Sequence, residues 1–158
     1  MRSLTLFVFS NIIFFGSILY HHYFIAPSGY YISELYEKTK ENGSWHVLTK
    51  NIIENGSFAA EIYIEGDGIE GMAVFRNTGS FSTFKNGEYK LDSKLIPIQE
   101  TKINNIEKAA PYTNLLYRVK KNHSPKIKII YYNKEIVIID LGETLEYKQL
   151  YFKSPKEY

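Results

Sequence analysis

Three turn signals, each set between runs of alternating apolar and polar residues, constrain this chain to an antiparallel, strand-rich fold. Asn55-Gly56 separates residues 45–53 from a return run in which Phe58, Ala60, Ile62 and Ile64 alternate with Ala59, Glu61, Tyr63 and Glu65. Asn-Gly supplies the two positive-φ residues that a two-residue hairpin loop demands. Asn86-Gly87 likewise joins residues 81–85 to 88–91, and Asn133-Lys134 joins the run Ile127, Ile129, Tyr131 to residues 135–141. Gly66-Asp67-Gly68 marks a turn before 69–76, and Gly142 lies in the turn before 145–153. The 14 Tyr and 10 Phe, with abundant β-branched residues, suit pleated half-buried surfaces better than helices.

In Ile136-Val137-Ile138-Ile139 both alternating faces are apolar, so this strand must be covered twice. The cover is a helix, the interior of a small barrel, or another protein. One amphipathic helix is expected over 30–42, where Ile32, Leu35, Tyr36 and Thr39 follow helical spacing and Asn42-Gly43 supplies a stop. Residues 92–122 fit neither period, because Pro97 and Pro111 interrupt them; strand pieces or a helical turn are expected there. The predicted class is mainly β: one helix and an antiparallel meander of seven or eight strands, forming a lipocalin-like barrel or half-barrel whose interior is filled by side chains or holds one small apolar ligand.

Ahead of this body lies residues 4–24, an apolar run with no acidic or basic side chain apart from His21 and His22. A helix of about 20 residues spans roughly 30 Å of hydrocarbon, and Tyr20, His21, His22 and Tyr23 gather at one end, where amphipathic rings favour the interface. A cleaved signal peptide is disfavoured by Phe24, two places before Ala26 at the best small-residue site; a buried soluble helix would lack flanking helical partners. The expected layout is a stub at 1–3, a membrane anchor at 4–24, a linker at 25–29 and one mostly β domain at 30–158. Arg2 places the N-terminus in the cytoplasm and the domain outside.

Composition narrows the chemistry. The 19 Lys and Arg stand against 17 Asp and Glu, and Arg2 precedes the anchor, so the exported part is near neutral and unsuited to direct nucleic-acid binding. Cysteine is absent, which removes disulfides, thiol catalysis and Cys-based zinc sites. No nucleophile elbow, P-loop, dinucleotide fingerprint or His-Glu-x-x-His motif occurs, so neither an enzyme nor a cofactor site is expected. His21 and His22 diverge on a helix, which disfavours a metal site. Glu61, Glu65, Asp67 and Glu70 crowd one region, a pattern that usually marks a solvated face. Asn42-Gly43-Ser44, Asn55-Gly56-Ser57 and Asn122-His123-Ser124 match the glycosylation sequon, but turn chemistry explains them. His46 and His123 are the exported residues able to change charge between about pH 5 and 8, and are candidate pH-sensing groups. His46, in an apolar strand beside Trp45, is the stronger of the two. Trp45, Ile136, Val137, Ile138 and Ile139 are the candidates for packing against a partner or inside the barrel.

The opening Met-Arg-Ser-Leu-Thr-Leu-Phe-Val-Phe-Ser-Asn-Ile-Ile-Phe-Phe and the 45–63 hairpin with its Asn55-Gly56-Ser57-Phe58 turn resemble the ToxS, PsaF and MyfF accessory proteins of enterobacterial and vibrio inner membranes, the PsaF and MyfF branch most closely. The similarity covers the whole chain in layout, through loose motifs. It implies a single-pass inner-membrane protein with a periplasmic domain. Such proteins pair as a heterodimer with a membrane-anchored winged-helix transcription activator of the PsaE or MyfE kind, protect it from proteolysis and promote fimbrial or virulence genes. It also implies a small amphipathic ligand as one possible signal. A stand-alone periplasmic ligand-binding barrel is the competing reading.

Overall fold

A computed structural model describes residues 2–24, 28–39, 43–85, 88–121, 126–133, 135–141 and 148–154. The element order is α1 (Arg2–Phe24), β1 (Gly29–Thr39), β2 (Gly43–Glu54), β3 (Ser57–Gly66), β4 (Met72–Lys85), β5 (Glu88–Gln99), α2 (Ala110–Lys120), β6 (Lys126–Tyr132), β7 (Ile136–Asp140) and β8 (Lys148–Lys153). The eight strands pair in sequence order, all antiparallel, and β8 returns to β1 to close a barrel. This is the mainly β class expected, and the up-and-down order fits a lipocalin-like barrel.

At the first hairpin the turn chemistry works as the sequence predicts. Between the paired residues Glu54 and Ser57, Asn55 and Gly56 take φ of +50° and +74°, the double left-handed loop whose twist matches the flanking strands. Glu88 pairs with Lys85 across Asn86-Gly87, and the β6–β7 pairing runs to Tyr132 and Val137. Asn86, Gly87 and Lys134 themselves lie outside the described residues.

Three expectations are corrected. Where an amphipathic helix is expected over 30–42, residues 30–39 belong to strand β1, paired along its whole length with β2, and 40–42 lie outside the described residues. The run satisfies both periods: Tyr31 and Ser33 point into the barrel, while Tyr30, Ile32, Glu34 and Tyr36 point out. A ladder of eleven residue pairs with β2 overrides weak helical spacing. Gly43, with φ +73°, therefore begins β2 rather than stopping a helix. The helix of the domain is α2, in the region that fits neither period. Pro111 opens it, where a missing N–H costs nothing, and Arg118 and Lys120 occupy its last turn. Finally, 69–76 and 81–85 are not separate strands; β4 runs through Gly79, where an added Cβ would collide with the Asp92 carbonyl oxygen. β5 tolerates Pro97 at a register shift that leaves Ile98 unpaired.

Strand lengths decide where the interior is filled. β1–β5 are 10 to 14 residues long, whereas β6, β7 and β8 have 7, 5 and 6. Among the described residues β5 pairs with β6 only from Glu88 to Lys90, and α2 packs beside β5. Two apolar clusters result. At the end carrying the Asn55-Gly56 turn, Tyr31, Ile53, Phe58, Ile127, Val137, Ile139 and Tyr151 meet across the barrel. At the other end, Trp45, Ile64, Ile69, Ala73 and Phe75 pack under Ala109 and Tyr112 of the α2 region.

Ahead of the barrel, α1 leaves Leu6, Phe7, Phe9, Ile12, Ile13, Phe14 and Phe15 exposed around the helix. Among the described residues no helix is long and apolar enough to cross a membrane.

Candidate functional site

Between the two clusters the barrel is hollow. The strand register sets Asn51 opposite Ala60 and Ala60 opposite Asn77, so a methyl group stands between two inward amides. The small Ala60 side chain opens the space, and Thr49, Ile53, Phe58 and Ile62 continue its wall above and below. The cavity measures about 390 Å³, within the range of roughly 300–1,000 Å³ typical of small-molecule sites. Ile127, Ile139 and Tyr151 form the opposite wall, and α2 contributes Leu115, Tyr117 and Arg118.

Its polar groups are unevenly provided for. Asn51 Oδ1 and Asn77 Oδ1 are buried and lack a hydrogen-bond partner among the described residues. A buried acceptor left unpaired costs about 1–3 kcal/mol, so two in one cavity call for a donor. Burial holds the Arg118 guanidinium below its ordinary range, while burial raises the Tyr151 phenol, which stays neutral at any physiological pH. Lys121 lies over the Tyr117 ring at 4.6 Å and also borders the cavity.

The chain matches no family model and no curated protein.

A second constellation lies on the outer surface. Strand alternation sends Trp45 inward and His46 outward, directly between Tyr36 on β1 and Glu65 on β3. His46 Nδ1 lies 2.9 Å from Glu65 Oε1 and Nε2 lies 2.8 Å from Glu34 Oε1. Its ring stacks on Tyr36 with centroids 4.3 Å apart and planes 6° from parallel, and the Tyr36 hydroxyl donates to Glu34 Oε1 at 2.8 Å. Only the imidazolium has a donor on each nitrogen, so two carboxylates in line with the two nitrogens favour the charged ring. The hydrogen bond to Glu65 raises the His46 pKa above its ordinary value, burial opposes it, and Glu34 adds to it. Hydrogen bonds from Tyr36 and then His46 lower the Glu34 carboxyl, and the bond to Glu34 raises the Tyr36 phenol. Glu37 and Lys38 are the other charged side chains around this shallow depression.

The remaining expected residues separate by role. His123 lies outside the described residues. Trp45 is buried, and its Nε1–H donates to Lys108 O at 3.1 Å, tying β2 to the segment leading into α2. Val137 and Ile139 face the interior, whereas Ile136 and Ile138 are half-buried on the outer face, opposite the exposed Phe152 and Leu150 of β8. The acidic run disperses: Glu61 accepts from Arg76 at 2.9 Å and Tyr63 at 2.7 Å, Glu65 meets His46, and Asp67 accepts from the Ser44 N–H. Among the described residues no group of His, Asp and Glu could hold a metal ion.

Sequence reasoning did not single out Asn51, Asn77 or Arg118. Asn51 and Asn77 carried a usable signal, since each is polar at an inward position of an alternating strand. Arg118 carried none, because a lone cation in the last turn of a helix ordinarily reads as a solvated residue facing the helix dipole.

Proposed function

We propose that this chain is a membrane-tethered accessory protein whose barrel takes a small amphipathic molecule and whose outer surface docks on a membrane-anchored transcription activator. The observation that carries the ligand half is the hollow between the two apolar clusters, walled by Ile53, Phe58, Ile62 and Ile127 yet holding unpaired Asn51 and Asn77 acceptors. A ligand that fits is apolar against these walls and leaves the two amides a donor, its own or that of a bound water.

Two features support the tether and the partner. α1 presents large apolar side chains on all sides, as a lipid-facing helix does. The strip of Ile136, Ile138, Leu150 and Phe152 is an outward apolar surface of the kind that marks a protein contact. With the resemblance to the ToxS, PsaF and MyfF proteins, these lead to an inner-membrane protein with its barrel in the periplasm, supporting fimbrial or virulence gene expression through an activator's stability. A stand-alone binding barrel shares the cavity but gives the outer strip no role.

The deciding experiment replaces Phe152, more than half exposed and therefore dispensable for folding, by Asp. Full-length wild-type chain should co-purify with the activator encoded beside it and lengthen that activator's half-life in cells; Phe152→Asp should remain folded and do neither. Equal activator half-life with and without the wild-type chain would leave only the stand-alone barrel.

A further inference from the structure

Among the described residues the charge around the cavity is one-sided: of those that line it, Arg118 and Lys121 are cationic and none is a carboxylate. Among the described residues the ion pairs are His46 with Glu34 and Glu65, Arg76 with Glu61, and Lys126 with Glu88; none involves Arg118 or Lys121. Tyr151, the ionisable group whose field reaches Arg118, is a neutral phenol. An arginine in an apolar cavity keeps its charge, since guanidinium is not deprotonated in proteins, and a partly desolvated charge without a counterion is costly. Its planar fork matches a carboxylate in two parallel hydrogen bonds.

Resting on the reading of the barrel as a ligand site, we propose that its occupant is a single-chain amphiphile with a carboxylate head, held by Arg118 with Lys121 at the rim, its hydrocarbon lying along Ile53, Phe58, Ile62 and Ile127. The apolar walls belong to the strands and the cations to α2, so head and tail are recognised by different elements. One guanidinium and one more exposed ammonium suit a single negative charge.

The test uses the full chain in phosphatidylcholine nanodiscs, whose lipid carries no net charge, with empty discs as the blank. Dodecanoate isotopically labelled at its carboxyl carbon is titrated and followed by NMR, with dodecanol, dodecylammonium and dodecyl phosphate as competitors. The expected result is a saturable, protein-dependent carboxylate signal whose titration falls below that of the acid in empty discs. Dodecanol should compete weakly and dodecylammonium not at all. Arg118→Gln should weaken dodecanoate by roughly tenfold or more while leaving dodecanol within about twofold, which also shows that the variant is folded. Lys121→Gln should cost a few-fold, and Arg118→Lys should recover part of the loss. If dodecanol binds as tightly as dodecanoate, or Arg118→Gln changes neither, the carboxylate clamp is wrong although the barrel remains a ligand site. Tighter binding of dodecyl phosphate overturns the carboxylate assignment. If no probe binds saturably, the ligand-site reading falls with it.

Discussion

At the scale of single residues, the two histidine-and-arginine environments make opposite demands. Arg118 is a charge that folding desolvates with no carboxylate paired to it among the described residues, so its removal should relieve the protein without ligand. Arg118→Met, which keeps the apolar stem, should leave thermal stability without ligand unchanged or higher, and calorimetry showing a loss above about 1 kcal/mol would mean that Arg118 has an internal partner. His46 gains partners instead. Its folded pKa is raised, so its contribution is fully present below the ordinary value of about 6.5 and is lost as pH rises through the raised one. Glu34, whose pKa is lowered, adds stability above about 4.3 and loses it as pH falls, so the cluster is tightest in mildly acidic solution. Wild-type stability should decline relative to His46→Gln between about pH 6 and 8, by less than about 1 kcal/mol because the pair is solvent-facing. Parallel pH profiles in urea titrations would remove His46 from any acid response. The sequence placed His46 in a strand beside Trp45 but could not show its two carboxylates. Glu34 was assigned to a helix, and a pairing register links residues by geometry rather than by spacing along the chain.

Elements were legible where one period dominated and the turn was short. β2 and β3 alternate cleanly around Asn55-Gly56, and the β6–β7 hairpin does the same around Asn133. β1 is ambiguous in sequence because Ile32, Leu35, Tyr36 and Thr39 satisfy helical spacing while Tyr31 and Ser33 satisfy strand alternation, and the eleven-pair ladder with β2 decides between them. α2 escaped because Pro97 and Pro111 read as interruptions, although Tyr112, Leu115, Leu116 and Val119 follow i, i+3, i+4, i+7 and pack at the second cluster, with Pro111 opening the helix. What holds that helix in place is mostly outside it: the Tyr112 hydroxyl donates to Thr101 O at 3.2 Å, and Trp45 Nε1–H reaches Lys108 O. Gly66 is matched to this, since an added Cβ there would lie 2.5 Å from the Trp45 ring. Trp45→Phe loses the indole hydrogen bond and part of the ring's packing, and should cost about 1–3 kcal/mol. Because the segment carries α2, amide exchange should accelerate across residues 101–121 more than in β3. Uniform acceleration would show that Trp45 supports the barrel generally and not the helix.

For the whole molecule, closure is uneven, and that asymmetry is where ligand and partner can act. Among the described residues, β1 to β4 are joined by ladders of nine to eleven pairs, whereas β5 meets β6 through three and β1 meets β8 through two, with one further bond from the Ser154 N–H to Tyr30 O. A short ladder opens locally at lower free energy than a long one, so β6, β7 and β8 form a panel hinged at two weak seams. The same panel supplies Ile127, Ile139 and Tyr151 to the cavity and Ile136, Ile138, Leu150 and Phe152 to the outer strip. A molecule filling the barrel therefore bears on the inner side of the surface proposed to meet the activator, and binding on either side favours the closed seams. Native-state hydrogen exchange should find β6–β8 opening before β2–β4 in the empty protein. Saturation with a cavity ligand at about a hundredfold over its dissociation constant should stabilise closed forms by about 2.7 kcal/mol, provided the open panel does not bind it. Protection should rise chiefly at residues 127–132, 136–141 and 149–153, and little in β3, which long ladders hold on both sides. Equal protection of all eight strands would mean that the barrel opens as one cooperative unit, and a ligand could not then bias the outer strip separately from the fold.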